Sequence, residues 1–476
     1  MNYEVIIGLE IHAQLATKTK AWCSCEISTK AFENTKVCPV CSAQPGALPV
    51  LNEKAVEYAI SSALALNCKI NPHSSFDRKN YFYPDLPKGF QITQFPSPIG
   101  TDGYISIKDS NGNEKKVGIE RVQMEEDTGK STHMAGASLI NLNRCGTPLI
   151  EIVGKPDIRD AKEASEYYKK IQSILVYLGV SHGNMQEGNL RCDVNLSLRK
   201  KGDTKFGTRT EVKNLNSFKS VEKAIEHEIQ RQAALLDSGK KVEQQTLLFN
   251  IDTGTTKVMR TKSNADDYRY FPEPDLLPLI VSEAQIKKLK ENLPELPDAK
   301  IKRFMQQYSI PYYDADVLTS SKELAQYFET AAGAYKGEAK KASNWIMVEL
   351  LKLINESGSD IAKSPVPALE LANLLNFVLD DTISGKIAKD VMQKMYDERI
   401  SAAKAIEKMG VKQISDTSAL EEMIKKTLTE HAAEVDRYRK GEVKLYGFLV
   451  GQTMKNTKGQ GNPKLINDIL KKLLDG

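Results

Sequence analysis

VIIGLEIHAQL, the run of residues 5–15, alternates apolar and polar side chains and predicts the β-strand around which the fold is organised. Odd positions are apolar, whereas Glu10, His12 and Gln14 fall on even positions. Because successive side chains of a strand point to opposite faces, Glu10 and His12 share one face. The pattern is typical of an ordinary half-buried strand, but it also suits a metal or proton-transfer site on a rigid sheet.

Carboxylates recur in later predicted strands of the first half. One interrupts the apolar run PLIEIVG, one lies on the polar face of RCDVNLSLR, and three follow one another in MEEDTGKSTH. Crowded or buried carboxylates must be solvated, protonated or bound to a cation, so a solvated turn is the alternative for the last group. If the groups converge, they suit Mg²⁺, although a histidine among them could favour Mn²⁺ or Zn²⁺ or transfer protons. The candidate residues are Glu10, His12, Glu125, Glu151 and Asp193.

Four of the seven cysteines form a zinc-knuckle pattern, C-x-C followed after twelve residues by C-P-V-C, within residues 23–41. In a cytosolic chain this spacing favours four thiolates on one tetrahedral Zn²⁺ over disulfides, with a redox pair as the main alternative. Four cysteine ligands leave no open coordination position, so the zinc would be structural. The four residues are Cys23, Cys25, Cys38 and Cys41.

The run FDRKNYFYPDLPKG, residues 76–89, has no regular period and interleaves aromatic with charged side chains. Such a mixture suits the stacking of a nucleotide base and the binding of phosphate. A surface loop whose aromatic rings fill the core fits the same run. The candidate residues here are Arg78, Lys79 and Tyr81.

Composition indicates an ordinary soluble protein, with 41% hydrophobic and 27% charged residues and a net charge of +4. No apolar run is long enough for a membrane span, and the first residues do not resemble a secretion signal, so we expect a cytoplasmic location. Residues 431–476 contain nine Lys or Arg against five Asp or Glu. That local excess hints at a polyanionic partner.

The pattern of elements predicts an α+β protein. Strand signals dominate up to about residue 293 and largely vanish beyond LPELP, where helical periodicity takes over. We therefore expect a mixed or antiparallel sheet with flanking helices, then an all-helical domain, then a small helical tail. The expected domains are 1–293, 294–410 and 411–476. The glycine-rich basic turn at 455–464 suits a phosphate backbone or a plain helix connector.

Local signals also predict particular helices. Asn52 and Asp160 are expected to cap the helices that follow them, and the periodicity of residues 435–456 predicts one continuous helix there.

The chain resembles the B subunit of the tRNA-dependent amidotransferase from end to end. The similarity rests on GLEIHAQL, DRKNYFYPDLPKGFQITQF, MEEDTGKSTH, NRCGTPLIEIV, EGNLRCDVNLSLR, EVKNLNSF and DDYRYFPEPDLLP. The final run, YGFLVGQTMKNTKGQGNPKLINDILKKLL, is similar to the helical tail domain of that family.

This resemblance implies that ATP phosphorylates the side-chain carboxylate of Glu-tRNA(Gln) or Asp-tRNA(Asn) in a kinase-like cradle domain. Ammonia from a partner amidase, the A subunit, then displaces the phosphate; a small C subunit completes a heterotrimer. The resemblance assigns His12, Glu125 and Glu151 to Mg²⁺, with Glu10 and Asp193 nearby. It assigns Lys79 and Arg78 to phosphate or the substrate carboxylate, and it gives the tail to the tRNA body. Tyr81 is expected beside the nucleotide because of the aromatic and basic composition of residues 76–89.

Two alternatives stay open at this point. The chain could be a non-catalytic scaffold that presents the tRNA 3′ end to a partner. It could also be the archaeal-type relative specific for Glu-tRNA, but that relative carries a large inserted domain, and the passage from Asp275 to Pro297 has no room for one.

Overall fold

In the computed structural model, the alternating run of residues 5–15 lies in strand β1 (Tyr3–Gln14), near the middle of a nine-stranded sheet. The structure describes residues 2–28, 30–261, 265–411, 417–457 and 463–475. The chain divides into two compact units, Met1–Leu296 and Pro297–Gly476. The first is α+β and the described part of the second is all-helical, as expected for the fold class.

The nine-stranded sheet has the order β14-β13-β12-β11-β1-β10-β7-β6-β2. Its strand pairs are antiparallel except for β12 and β13, which are parallel and joined through a helix. Smaller sheets are β15-β4-β5, β16-β3 and the hairpin β8-β9. The remaining strands are β2 (Lys69–Ile70), β3 (His73–Ser74), β4 (Asp77–Asn80), β5 (Phe90–Thr93), β6 (Gly100–Lys108), β7 (Glu114–Glu126), β8 (Lys130–Met134), β9 (Ala137–Asn141), β10 (Pro148–Gly154), β11 (Leu190–Lys200), β12 (Thr210–Leu215), β13 (Gln245–Asn250), β14 (Thr255–Thr261), β15 (Phe271–Pro272) and β16 (Leu279–Ile280).

Helices cover the apolar side of this sheet. The first unit contains α1 (Glu53–Ala65), α2 (Ala161–Tyr177), α3 (Phe218–Asp237) and α4 (Glu283–Glu291). The side chains of Asn52 and Asp160 accept backbone hydrogen bonds at the starts of α1 and α2, as predicted for helix caps. Leu9 and Ile11 of β1 are fully buried in the apolar core with residues of α1, α2 and α3. Glu10 and His12 point to the opposite face, because side chains alternate along β1.

The described part of the second unit is built from helices alone. They are α5 (Pro297–Tyr308), α6 (Tyr312–Leu318), α7 (Lys322–Ala334), α8 (Ala339–Asn344), α9 (Leu351–Ser357), α10 (Ala368–Leu379), α11 (Gly385–Glu398), α12 (Ala402–Met409), α13 (Thr417–Glu430), α14 (Ala432–Arg439), α15 (Leu445–Asn456) and α16 (Pro463–Asp475). A π-helical turn, Trp345–Leu350, continues α8 into α9. Separate apolar clusters are formed by residues within 301–405 and within 420–474.

One predicted helix was wrong. The sequence favoured a single helix at 435–456, but the chain leaves the helix after Arg439 and resumes at Leu445. Gly441 has a φ of 106°, a conformation that glycine adopts without steric cost and that ends a helix. Residues 412–416, at the expected domain boundary, and 458–462, in the basic turn, lie outside the described residues, so the boundary near 410 stays a prediction.

None of the helices in the described part of the chain has both the length and the hydropathy that crossing a bilayer requires.

Because Leu9 is fully buried beneath the helices, we expect Leu9→Ala to lower the free energy of unfolding of the first unit by about 3 kcal/mol. Urea denaturation followed by the fluorescence of Trp22, in a Trp345→Phe background, reports on this unit alone. The control is Leu277→Ala, since Leu277 is 87% exposed and its loss should change the value by less than about 0.5 kcal/mol. Equal effects of the two substitutions would contradict the central place of β1.

Candidate functional site

Three neighbouring strands bring distant residues together on the polar face of the sheet. His12 of β1 lies directly opposite Glu151 of β10, which in turn lies opposite Gln123 of β7. Glu125 follows two residues after Gln123 and therefore projects from the same face. Residues far apart in the sequence thus meet because of the strand order β1-β10-β7.

His12, Glu125 and Glu151 form a compact group of possible metal ligands. The Nε2 atom of His12 lies 3.9 Å from Oε2 of Glu125 and 3.7 Å from Oε1 of Glu151. One ligand atom of each residue lies within 4.8 Å of the others. Both carboxylates are buried, so a group of two carboxylate oxygens and one imidazole nitrogen fits a divalent cation. Metal binding itself stays a prediction.

Amide and hydroxyl donors fix the two carboxylates in place. Glu125 accepts hydrogen bonds from Gln91 (3.0 Å), Thr93 (2.8 Å) and Gln123 (3.0 Å). The Gln123 amide also donates to Glu151 at 2.6 Å and so bridges the two carboxylates. Partners of this kind orient metal ligands and influence metal affinity. The sequence contained only a weak indication of these donors. Gln123 shares the strand face of Glu125, and the run FQIT, residues 90–93, alternates apolar and polar side chains.

Lys79 supplies positive charge to this group. On β4 it lies opposite Gln91 of β5, the residue that hydrogen-bonds Glu125. Burial disfavours its charged form, but the carboxylates of Glu125 and Glu151 outweigh that cost and raise the pKa of Lys79. Burial and the neighbouring Glu125 raise the pKa of Glu151 well above its ordinary value. For Glu125, burial is outweighed by Lys79 and His12, so its pKa is lowered.

Aromatic rings line the region next to Lys79. The Tyr81 hydroxyl donates to Oε1 of Gln91 at 3.3 Å, so Tyr81 lies one side chain away from Glu125. The Lys79 ammonium lies 5.2 Å from the centre of the Tyr268 ring, and Tyr268 in turn packs against Tyr81 and Tyr270. The combination of ammonium and rings suits a phosphorylated ligand with an aromatic base.

Glu10 and Asp193 lie in a second group rather than with His12. They face each other across β1 and β11, and one oxygen of each lies within 4.8 Å of a Glu211 oxygen. Lys213 pairs with Asp193 and lies 3.4 Å from Oε1 of Glu211. Glu211 is not among the predicted site residues, although the sequence pattern places it on the same strand face as Lys213. The Lys213 ammonium offsets one of the three negative charges of this group, whose carboxylate oxygens also lie close enough together to hold a metal ion.

Arg78 faces away from Lys79, since neighbouring strand residues point to opposite sides. Its guanidinium donates to both oxygens of Glu273, at 2.8 and 2.9 Å, and to Asp275 at 3.1 Å. It also lies 4.2 Å from the centre of the Phe90 ring. The structure therefore ties Arg78 to the segment after β15, and the predicted contact with phosphate would require these ion pairs to break.

The three successive carboxylates at the end of β7 do not form a solvated turn, because Glu125, Glu126 and Asp127 are all buried. Glu126 pairs with Lys88 and accepts a hydrogen bond from the backbone N–H of Ile92. The Asp127 carboxylate lies 2.9 Å from Nη2 of Arg191 and accepts a hydrogen bond from the side chain of Gln14. Each carboxylate thus has its own set of partners.

The four predicted zinc ligands lie together, and all seven cysteines are free thiols. The Cys41 sulfur lies 4.0 Å from that of Cys25 and 3.9 Å from that of Cys38, and the four sulfurs lie within 4.8 Å of one another. Sulfurs bound tetrahedrally to zinc lie about 3.8 Å apart, so this group fits the metal. A hydrogen bond from Cys23, with help from Lys20, lowers the pKa of Cys41 to about 4. Zinc binding stays a prediction.

Comparisons with known proteins match both the sheet-containing first unit and the helical second unit. The family model described as the GatB/GatE catalytic domain matches residues 5–287, and the model described as the GatB domain matches residues 326–474. The chain is similar to the B subunit of the aspartyl/glutamyl-tRNA(Asn/Gln) amidotransferase of Thermodesulfovibrio yellowstonii, with 51% identity over 475 residues. It is 49% identical over 474 residues to the protein of the same name from Persephonella marina. Both alignments cover 100% of this chain and 100% of the relative.

If the group on β1, β7 and β10 binds a divalent cation, Glu125→Gln should weaken Mn²⁺ binding by about tenfold or more, because one charged ligand is lost. Titration followed by electron paramagnetic resonance measures the free ion. The control is Glu120→Gln, since Glu120 is an exposed carboxylate on the same strand. Equal Mn²⁺ affinity of both variants would exclude a metal site at Glu125.

Because Arg78 pairs with the buried Glu273 carboxylate, removing the arginine is expected to lower stability. Arg78→Met leaves the Glu273 carboxylate, which is 1% exposed, without its cation and should destabilise the first unit by about 3 kcal/mol. Lys54→Met is the control because it breaks the exposed pair with Glu57, which should cost less than about 1 kcal/mol. Urea denaturation followed by Trp22 fluorescence compares the two, and an equal loss would show that the Arg78 pair is not structural.

Proposed function

This chain belongs to the B-subunit family of aspartyl/glutamyl-tRNA(Asn/Gln) amidotransferases, and from that premise we propose that its first unit carries out the ATP-dependent step of transamidation. The enzyme is a ligase that converts misacylated Glu-tRNA(Gln) and Asp-tRNA(Asn) by forming a carbon–nitrogen bond. The observation that carries the proposal is the group formed by half-buried His12 and the buried Glu125 and Glu151, with Lys79 beside it.

The reaction proceeds in two steps. The side-chain carboxylate on the tRNA attacks the γ-phosphorus of ATP, so that ADP leaves and an acyl phosphate forms. Ammonia then attacks the acyl carbon, and inorganic phosphate leaves with the electron pair of the broken carbon–oxygen bond. A free carboxylate resists ammonia because its leaving group is poor, whereas phosphate leaves readily.

Each residue of the group has a role in this chemistry. His12, Glu125 and Glu151 hold Mg²⁺, which when bound neutralises phosphate charge. Lys79 remains charged because of the two carboxylates and binds the transferred phosphoryl oxygens. Tyr81 and the rings next to it bind the nucleotide or the terminal base of the tRNA. Asp193, paired with Lys213, and Glu10, which lies opposite Asp193, support the edge of this site.

Partner proteins, the helical region and the four cysteines support this reaction from outside the site. The relatives are named as the B subunit of their enzyme, which agrees with a complex of several proteins. We propose that an amidase, the A subunit, is the source of ammonia and that a small C subunit completes the complex. We propose that residues 294–410 link the cradle to a tail, 411–476, that holds the tRNA. The four cysteines hold a structural zinc. We propose that the complex works in the cytoplasm, where aminoacyl-tRNA is used.

Incubation of the reconstituted complex with γ-labelled ATP, ammonium and each misacylated tRNA tests the proposal. We expect phosphate release that requires the attached Glu or Asp and Mg²⁺, and a fall of about 100-fold or more in Glu125→Gln with tRNA binding retained. Glu120→Gln should behave as the unaltered protein. Unchanged amidation by Glu125→Gln would instead favour the non-catalytic scaffold, and ATP turnover that ignores the attached amino acid would exclude the proposed step.

A further inference from the structure

Lys20 is a lysine with no exposed surface, which is rare for a charged side chain. Its ammonium donates to the backbone carbonyls of Lys36 at 2.8 Å and Leu142 at 3.3 Å, and to the sulfur of Cys41 at 3.4 Å. Among the residues that the structure describes, no carboxylate oxygen lies within 4.0 Å of this ammonium. The nearby Glu126 carboxylate forms an ion pair with Lys88.

A buried ammonium needs a partner that carries negative charge. Two carbonyl dipoles satisfy two of its three N–H donors but leave the net charge uncompensated. The third donor is directed at Cys41, one of the four clustered cysteines. Four thiolates around one Zn²⁺ carry a formal charge of −2, so the cluster requires a cation as much as Lys20 requires an anion.

We propose that Lys20 is the charge partner of the four-cysteine zinc site and a positioning residue for Cys41. This inference depends on the zinc proposed above but not on the chemistry of tRNA amidation. Lys20 reduces the net charge of the loaded cluster from −2 to −1 and orients the Cys41 thiolate by an N–H···S hydrogen bond. Its removal therefore makes the metal easier to lose.

The same side chain connects the zinc knuckle to the acidic strand. Lys36 lies in the loop between the two cysteine pairs, and Leu142 lies just after β9. The neighbouring Ala21 donates its N–H to the carbonyl of Gly146, whose own N–H bonds the carbonyl of Asp127. Lys20 thus lies where the cluster, the β8-β9 hairpin and the end of β7 meet.

Transfer of zinc from the full-length protein to a chromophoric chelator tests the proposal. We expect Lys20→Met to release zinc about tenfold faster than the unaltered protein, because partners of metal ligands typically change affinity by 10–100-fold. Lys20→Gln, which keeps N–H donors for the carbonyls but has no charge, should also release zinc faster. Lys18→Met is the matched control, since Lys18 is exposed and lies two residues away.

Two further measurements keep the proposal open to refutation if a variant does not fold. Cobalt-loaded unaltered protein should show the sulfur-to-metal absorption of four thiolates, and its ¹⁵N-lysine spectrum should contain one slowly exchanging ammonium that shifts when the metal is removed. Release from both Lys20 variants at the Lys18→Met rate, or no metal-dependent ammonium, would overturn the inference. A protein that binds neither zinc nor cobalt would overturn it as well, whereas amidation by that protein would leave the proposed function intact.

Discussion

Two buried carboxylates and an imidazole share a small patch of sheet, and the surrounding structure compensates their charge. Glu125 and Glu151 would repel each other in a medium of low polarity if nothing stood between them. The amide of Gln123 bridges them, and Lys79 brings an ammonium from a separate small sheet. These hydrogen bonds and the ammonium thus hold the two carboxylates in place beside the imidazole.

Successive side chains of a strand point to opposite faces, so adjacent charged residues lie in different environments. At the end of β7, Glu125 faces the group formed with His12 and Glu151, while Glu126 pairs with Lys88 on the other side. On β4, Lys79 faces the same group while Arg78 pairs with Glu273. Neighbouring residues of like charge therefore have separate partners on opposite faces of their strand.

The sequence predicted what depends on local pattern. Alternation identified β1 and its polar face, capping side chains located the starts of α1 and α2, and cysteine spacing identified a group whose four sulfurs do lie together. Motif resemblance selected His12, Glu125 and Glu151. The sequence did not predict which distant strands pair, because the spacing of residues along the chain does not specify strand order. Hence the grouping of Glu10 with Glu211, and the pairing of Arg78 with Glu273, appeared only in three dimensions.

The position of β1 has a consequence for how the chain is made. Its two partners, β10 and β11, begin at residues 148 and 190, so during synthesis β1 has neither partner until well over a hundred further residues have been made. During that interval its apolar face is exposed, a state that invites aggregation and slows folding. The long sequence separation between β1 and its two partners therefore gives the sheet a high contact order, which slows its formation.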